Sequence, residues 1–346
     1  MTEFGRVRLA PGYSIAPVIN GCWQLTPDHG GGPSSEAEIL RIFAELVDHG
    51  FTTFDCADIY TGVERLIGRF RRSLPDPDLI QVHTKLVPDK ATLHELTAQQ
   101  VEAVIDRSLE RLGMERLDLV QFHWWDCGVP GLEMLTECLV RAQEQGKVRL
   151  LGATNFNTVA IRQLVEQGVP LVSLQAQYSL LDRRPERHMT GLSRESGVGL
   201  LPYGVLAGGF LGGKYLDART PGRLNRSLTK YRLIIEEAGG WETYQDLLRV
   251  LSSIARKHAV PLELIAARWV LDRPEVKAII LGVGSRSRAS RNTALAEVEL
   301  DSEDRQRIRM QLERQRIPAG DMYDLERDQN SPHSAIIKTN LQQAPL

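Results

Sequence analysis

Four side chains in this sequence suit proton transfer to a carbonyl oxygen: Asp55, Tyr60, Lys85 and His123. Asp55 lies at the end of the apolar run 52–56 (TTFDC), and Tyr60 follows five residues later. Lys85 closes the run 79–85 (LIQVHTK), and His123 closes 117–123 (LDLVQFH). A free phenol, with a pKa of about 10, is a poor acid at neutral pH. A neighbouring ammonium stabilises the phenolate and is expected to lower that value. Asp55 would pair with Lys85, fixing it and keeping it charged. His123 is expected to donate a hydrogen bond to the carbonyl oxygen and orient it. Reduction also needs a hydride, which no side chain supplies, so the reading requires a nicotinamide. Taken singly, each residue also suits a plain structural role: a loop cap, a packing ring, a solvated strand end, a core histidine. The argument lies in their coincidence, because only eight of the 42 basic residues are lysine.

The elements that must position them are legible as an alternation. Eight short apolar runs, 18–23, 52–56, 79–85, 117–123, 148–153, 171–176, 198–203 and 276–281, read as strands. They are continuous rather than alternating, as parallel strands covered on both faces are. Between them the period changes to that of helices. In 35–49, Ile39, Ile42, Phe43, Leu46 and Val47 form one stripe before Gly50; in 98–112, Val101, Val104, Ile105, Leu109 and Leu112 do so before Gly113. Eight β/α alternations predict an α/β fold, a single-domain (β/α)8 TIM barrel over residues 18–314. A hairpin is expected within 1–17, a long loop over 207–240 after the seventh strand, and a polar tail over 315–346. In such a barrel the C-terminal strand ends converge on one mouth, which brings the four residues together.

Composition narrows the alternatives. Charge is nearly balanced, 42 basic against 44 acidic residues, so no basic surface points to nucleic acid. The four cysteines, Cys22, Cys56, Cys127 and Cys138, form no C-x-x-C pair, which argues against zinc ribbons and dithiol chemistry and for a reducing, cytoplasmic setting. No signal peptide is legible before Pro17, and no run of about 18 apolar residues calls for a membrane.

With these residues in place, the sequence resembles the aldo-keto reductase superfamily. The matching text is FDCADIYTGVERLIG (54–68), HTK (83–85), LDLVQFHW (117–124), GKVRLLGATNFN (146–157), LQAQYSLLDRR (174–184) and LPYGVLAGGFLGGKY (201–215). The resemblance runs from about residue 18 to 300 and implies the barrel already reached from the alternation. It implies a catalytic tetrad of Asp55, Tyr60, Lys85 and His123, with Tyr60 as proton donor and NADPH or NADH as hydride source, NADPH being preferred. Thr154, Asn155 and Gln175 match positions that hold the nicotinamide carboxamide, and Tyr203 the aromatic that stacks on the ring. Gly204, Leu206 and Gly208 belong to the loop that approaches the pyrophosphate. Gly21, Cys22 and Trp23 match the first strand's end at the cofactor and substrate mouth. Of Trp124 and Trp125, which directly follow His123, one is expected to line the substrate pocket, taken as Trp124 beside Trp23, and the other to pack between barrel and helix. After the eighth strand, Ser285, Arg288 and Asn292 match positions around the adenosine and its 2′-phosphate, Gly282 stands at the start of the same cofactor-binding loop, and Arg286 and Arg291 add charge. Gly282 and Arg291 depart from the family's usual residues there, which keeps NAD as an alternative. The partner expected is a small carbonyl or alcohol substrate; the oligomeric state is not legible.

Two rival readings stand beside this one. A non-catalytic cofactor-sensing subunit, resembling the potassium-channel β subunits, would also keep the tetrad. A metal-dependent barrel hydrolase would use Asp55, Asp58, His83 and His123, but it leaves Tyr60 and Lys85 idle; no metal is expected.

Overall fold

A computed structural model describes residues 5–26, 35–222, 224–284 and 288–337. Strands β1 (Val7–Ala10) and β2 (Tyr13–Ile15) pair antiparallel as the expected hairpin. Eight parallel strands follow: β3 (Val18–Gly21), β4 (Thr53–Asp55), β5 (Gln81–Leu86), β6 (Leu117–Phe122), β7 (Val148–Thr154), β8 (Leu171–Gln175), β9 (Gly199–Leu200) and β10 (Ile279–Gly282). They hydrogen-bond in the order β10-β3-β4-β5-β6-β7-β8-β9. The sheet then closes on itself. Leu200 N–H donates to Glu275 O at 2.9 Å, Lys277 N–H to Leu200 O at 3.0 Å and Ile280 N–H to Pro202 O at 2.8 Å. The seam is ragged because Pro202 has no N–H to give, so the strand expected over 198–203 is regular for two residues only.

Helices α1 (Glu36–Asp48), α2 (Val63–Ser73), α3 (Ala98–Leu112), α4 (Leu132–Glu144), α5 (Thr158–Glu166) and α6 (Met189–Ser196) each follow a barrel strand. After β9 come α7 (Arg226–Glu237), α8 (Gly240–Lys257) and α9 (Leu262–Leu271). After β10 come α10 (Ala289–Ala294), α11 (Ser302–Leu312) and α12 (Asp324–Arg327). Local chemistry sets the ends. Ser35 with Glu38 and Thr97 with Gln100 make capping boxes at α1 and α3, each satisfying two backbone donors. The stripe of α1 buries Ile42, Phe43, Leu46 and Val47 against the outside of the sheet. Inside, the hairpin plugs the N-terminal end of the barrel: Leu9, Tyr13 and Ile15 pack with Ile19, Leu119, Leu201 and Ala278.

Two expectations change. The segment 207–240 is not all loop, since it contains α7, capped by Asn225, whose side chain accepts from Leu228 N–H. Glycine pairs at 208–209 and 239–240 bracket this helix, and its apolar positions Leu228, Tyr231, Ile234 and Ile235 form a short stripe between charged residues. The polar segment after 314, read from the sequence only as a tail, is folded. Up to residue 337 it folds back across the strand ends and buries Met322, Tyr323, Glu326 and His333.

Candidate active site

The C-terminal ends of β4, β5 and β6 bring together Asp55, Lys85 and His123, each at most 5% exposed. Lys85 Nζ donates to Asp55 Oδ2 at 2.6 Å and to Cys56 O at 2.8 Å. Asp55 Oδ1 accepts from Gln175 Nε2 at 2.7 Å and Gln121 Nε2 at 3.1 Å. The carboxylate is therefore fully engaged, and the ion pair is held rigidly from three strands. Burial pushes the Lys85 pKa down, but Asp55 and Tyr60 outweigh it and keep the ammonium charged above its ordinary range.

Tyr60 sits on the turn between β4 and α2, where its N–H donates to Ala57 O and its own carbonyl accepts from Val63 N–H. Lys85 Nζ lies 4.9 Å from the centre of its ring, and Trp23 packs against it with centroids 4.8 Å apart. The lysine is placed as expected, but the phenol is not depressed. Burial pushes its pKa up to about 12, and Lys85 offsets this only in part. The phenol thus keeps its proton well beyond neutral pH.

Under the same turn lies a tie to the neighbouring helix. Asp58 Oδ1 accepts from Val87 N–H, and Arg111 donates both to Asp58 O and to Glu64 Oε2. Glu64 in turn accepts from the Thr84 hydroxyl at 2.7 Å. Burial pushes the Asp58 carboxyl up to about 8, with Glu64 adding to it.

His123 corrects a second expectation. Its Nδ1 is 3.0 Å from Thr154 O, which can only accept, so Nδ1 carries the proton. Burial holds the ring neutral, pushing its pKa down to about 3 against the Thr154 bond, with Arg327 adding to the fall. In that tautomer Nε2 is an acceptor, and it is buried without a hydrogen-bond partner among the described residues. The ring is therefore set to receive a hydrogen bond from a hydroxyl rather than to give one to a carbonyl. Trp125 packs edge-on against it at 4.5 Å and Tyr323 at 5.6 Å. The tryptophan expected at the substrate wall was Trp124, but Trp124 is fully buried with its indole N–H on Val129 O. Trp125 takes the place beside His123, because Gln121, His123 and Trp125 follow the two-residue alternation of a strand.

Asn155 directly follows β7 with φ of +61°, and its Oδ1 accepts from Tyr203 OH at 2.8 Å. Lys230, from α7, places Nζ 3.4 Å from the same hydroxyl. Thr154 contributes its carbonyl to His123, and Gln175 its amide to Asp55 rather than to an open position. Cys22 Sγ donates to Asn20 O at 3.5 Å, so its thiol does not face the mouth, and a Cβ on neighbouring Gly21 would lie 2.7 Å from the Ile280 side chain. Gly204 and Gly208 have φ of +67° and +65°. A Cβ on either would lie within 2.8 Å of Tyr231, so the space they leave receives that ring of α7. Leu206 and Gly204 cap the turn, their carbonyls accepting from Gly209 and Ala207 N–H. Gln24 similarly lies over Gly282. Arg288 NH1 reaches Gly282 O at 3.3 Å on the exposed surface, Arg291 is 3.6 Å from Glu263, and Asn292 is buried. Ser285 and Arg286 lie outside the described residues. His83 is bound to the plug, with Nε2 3.1 Å from Tyr13 OH.

Gln121, Tyr323, Arg327 and Lys230 are the residues that sequence reasoning did not single out. Gln121 carries a signal, its even spacing from His123. The others come from segments read as loop or tail. Among the described residues no group of three or more His, Cys, Asp or Glu is arranged to hold a metal, and no helix is long and apolar enough to cross a membrane.

The tyrosyl ring of Tyr203 beside Asn155 fits a nicotinamide, the charged Lys85 next to Tyr60 fits a carbonyl oxygen, and the unpartnered acceptor Nε2 of His123 fits the hydroxyl of the corresponding alcohol.

Comparison with known proteins agrees. The sequence profile of the Aldo/keto reductase family matches residues 17–313. A "Probable aldo-keto reductase 1" of Glycine max is 28% identical over 319 residues, covering 90% of this chain and 88% of its own length. An "NADH-specific methylglyoxal reductase" of Escherichia coli K12 is 25% identical, covering 82% of this chain and 90% of its own. The solved glycerol dehydrogenase of Gluconobacter oxydans superposes with a TM-score of 0.76 at 23% identity, over 93% of this chain and 98% of that one, which supports the fold.

Proposed function

The chain belongs to the aldo/keto reductase family, an NAD(P)H-dependent oxidoreductase of carbonyl and alcohol groups; from this premise we propose that it interconverts an aldehyde or ketone and the corresponding alcohol with Tyr60 as general acid and base and NADPH as preferred cofactor. The observation that carries the reading is the buried Asp55–Lys85 pair at 2.6 Å with the ammonium against Tyr60. Bound, the nicotinamide supplies the hydride that no side chain can.

Tyr60 OH donates its proton to the carbonyl oxygen as negative charge develops there. Lys85, held charged by Asp55, stabilises the phenolate left behind. His123 Nε2 accepts the hydroxyl hydrogen of the product alcohol once Tyr60 has delivered it, and so holds the alcohol after reduction; in the oxidative direction that one hydrogen turns to Tyr60 before it is removed. Trp23, Trp125 and Tyr323 bring aromatic surface to this place and exclude water from it. NADPH rather than NADH is supported by Arg288, whose guanidinium is exposed and carries no ion pair among the described residues. The Escherichia coli relative named for NADH makes that preference worth measuring directly.

The test is Tyr60→Phe. Turnover of a reactive aldehyde should fall on the order of 10²–10⁴-fold, the usual worth of a positioned general acid, while NADPH binding followed by fluorescence stays near wild type. Near wild-type turnover would remove Tyr60 from the chemistry. Turnover by the wild type separates an enzyme from a cofactor-sensing subunit.

A further inference from the structure

Arg327 lies about 200 residues downstream of the strand ends it touches, in α12. Its Nε donates to Trp125 O at 3.1 Å, and one terminal nitrogen donates to Trp124 O at 3.1 Å and Asn155 O at 2.9 Å. These carbonyls belong to the second and third residues after β6 and the first after β7, where strand pairing ends and backbone acceptors would otherwise be orphaned. One guanidinium therefore spans the ends of both strands. Those ends carry His123, one residue before Trp124, and Asn155 itself, held at a positive φ that side chains rarely adopt. The guanidinium also lies over the ring of Tyr323, 5.1 Å from its centre, and Tyr323 packs against His123.

The segment that delivers Arg327 is itself fixed. Asp321 accepts from Thr158 N–H at 2.7 Å, at the start of α5, and Asp324 from Asn157 Nδ2 at 3.2 Å. The adjacent Glu326 makes two bonds to Arg184, at 2.8 and 2.9 Å. With Glu326 taken by Arg184, Arg327 has no carboxylate within ion-pair distance among the described residues, so its charge is spent on neutral carbonyls. A guanidinium placed this way contributes little as an ion pair; its fork geometry, which matches several acceptors at once, is what the arrangement uses.

We propose that Arg327 is a positioning residue for the reaction, clamping the ends of β6 and β7 so that His123 Nε2 and the Asn155 side chain are held where substrate and nicotinamide meet them. The inference rests on the catalytic reading above. It adds that the segment beyond the barrel governs the placement of groups within it.

The experiment is a double-mutant cycle in the full chain, with Arg327→Met and Arg327→Lys each made alone and with His123→Ala. Arg327→Met should lower kcat by about 10²-fold in the wild-type background, the cost of misplacing a reacting group by about 1 Å. In the His123→Ala background the same change should cost less than about threefold, because the group it positions is gone. The NADPH Kd, read from protein fluorescence without turnover, should rise by about threefold or more through Asn155. Arg327→Lys keeps the charge with fewer, less directed donors and should lie between wild type and Arg327→Met. It also carries the cycle if the methionine variant does not fold. Equal losses in both backgrounds, with an unchanged NADPH Kd, would overturn the proposal. A wild-type protein that turns over no carbonyl fails the catalytic reading at the start, and the Kd measurement then still decides the clamp on Asn155.

Discussion

Burial and charge oppose each other at Tyr60, and burial wins. With the phenol pushed up to about 12, the free protein should show no phenolate from this residue below about pH 11. Spectrophotometric titration of wild type minus Tyr60→Phe tests this; a difference appearing near pH 9 would mean that Lys85 controls the phenol after all. The sign suits reduction, since the acid stays protonated across the physiological range. Arg288 is the residue-scale test of cofactor choice. Arg288→Ala should weaken NADPH by roughly 1.5–3 kcal/mol, the worth of a charged hydrogen bond, and leave NADH nearly unchanged. Equal losses for both cofactors would assign Arg288 to the adenosine or the fold. The residues that sequence alone located, Asp55, Lys85 and His123, are strand-end residues, and strand ends are legible from hydrophobic runs. What it misjudged depends on direction and environment. Trp124 and Trp125 differ only in which face of β6 they extend, and the tautomer of His123 follows from a carbonyl on the next strand.

Elements are joined here by close approaches that tolerate no added atom. A Cβ on Gly68 of α2 would lie 2.2 Å from Arg111 O and 3.0 Å from Leu112 C of α3, both backbone atoms that cannot move aside. Gly68→Ala should therefore destabilise the protein by roughly 1–3 kcal/mol, measured by urea unfolding. It should also lower activity, because Arg111 links α3 to the turn that carries Tyr60. Unchanged stability would show that the two helices can separate freely. The strands were legible because burial on both faces writes itself as continuous apolar runs. Helix α7 was not, because its stripe is short and is stabilised by tertiary contacts: Tyr231 enters the space over Gly204 and Gly208, a fit visible only after folding.

At the scale of the molecule, the segment after 314 is structural. Arg184 is fully buried and bridges Asp182, at 2.7 Å, and Glu326, at 2.8 Å, so the loop after β8 and the returning segment share one ion network. Glu326→Ala leaves a buried guanidinium short of a partner and should cost about 3–5 kcal/mol in urea unfolding, whereas Glu326→Gln, which keeps an acceptor, should cost less. A loss below about 1 kcal/mol would mean the segment is a surface appendage. The Arg184 guanidinium overcomes burial and holds Glu326 down at about 2. The network's contribution is therefore complete above the ordinary glutamate pKa and is lost as pH falls toward 2. Sequence reading missed this because polar residues in a tail resemble a solvated surface until their partners are known.

The pairing of β3 with β10 has a consequence during biosynthesis. Val18 lies against Ile279, so the first barrel strand leaves the ribosome long before its neighbour exists. At about 5–20 residues per second the interval is roughly tens of seconds. Until then the nascent sheet carries two unsatisfied edges, the feature of a β-structure most open to wrong pairing. Holding by chaperones should therefore matter most for chains stalled between β9 and β10, and slow codons placed in that interval should reduce the soluble yield more than the same codons placed after α11.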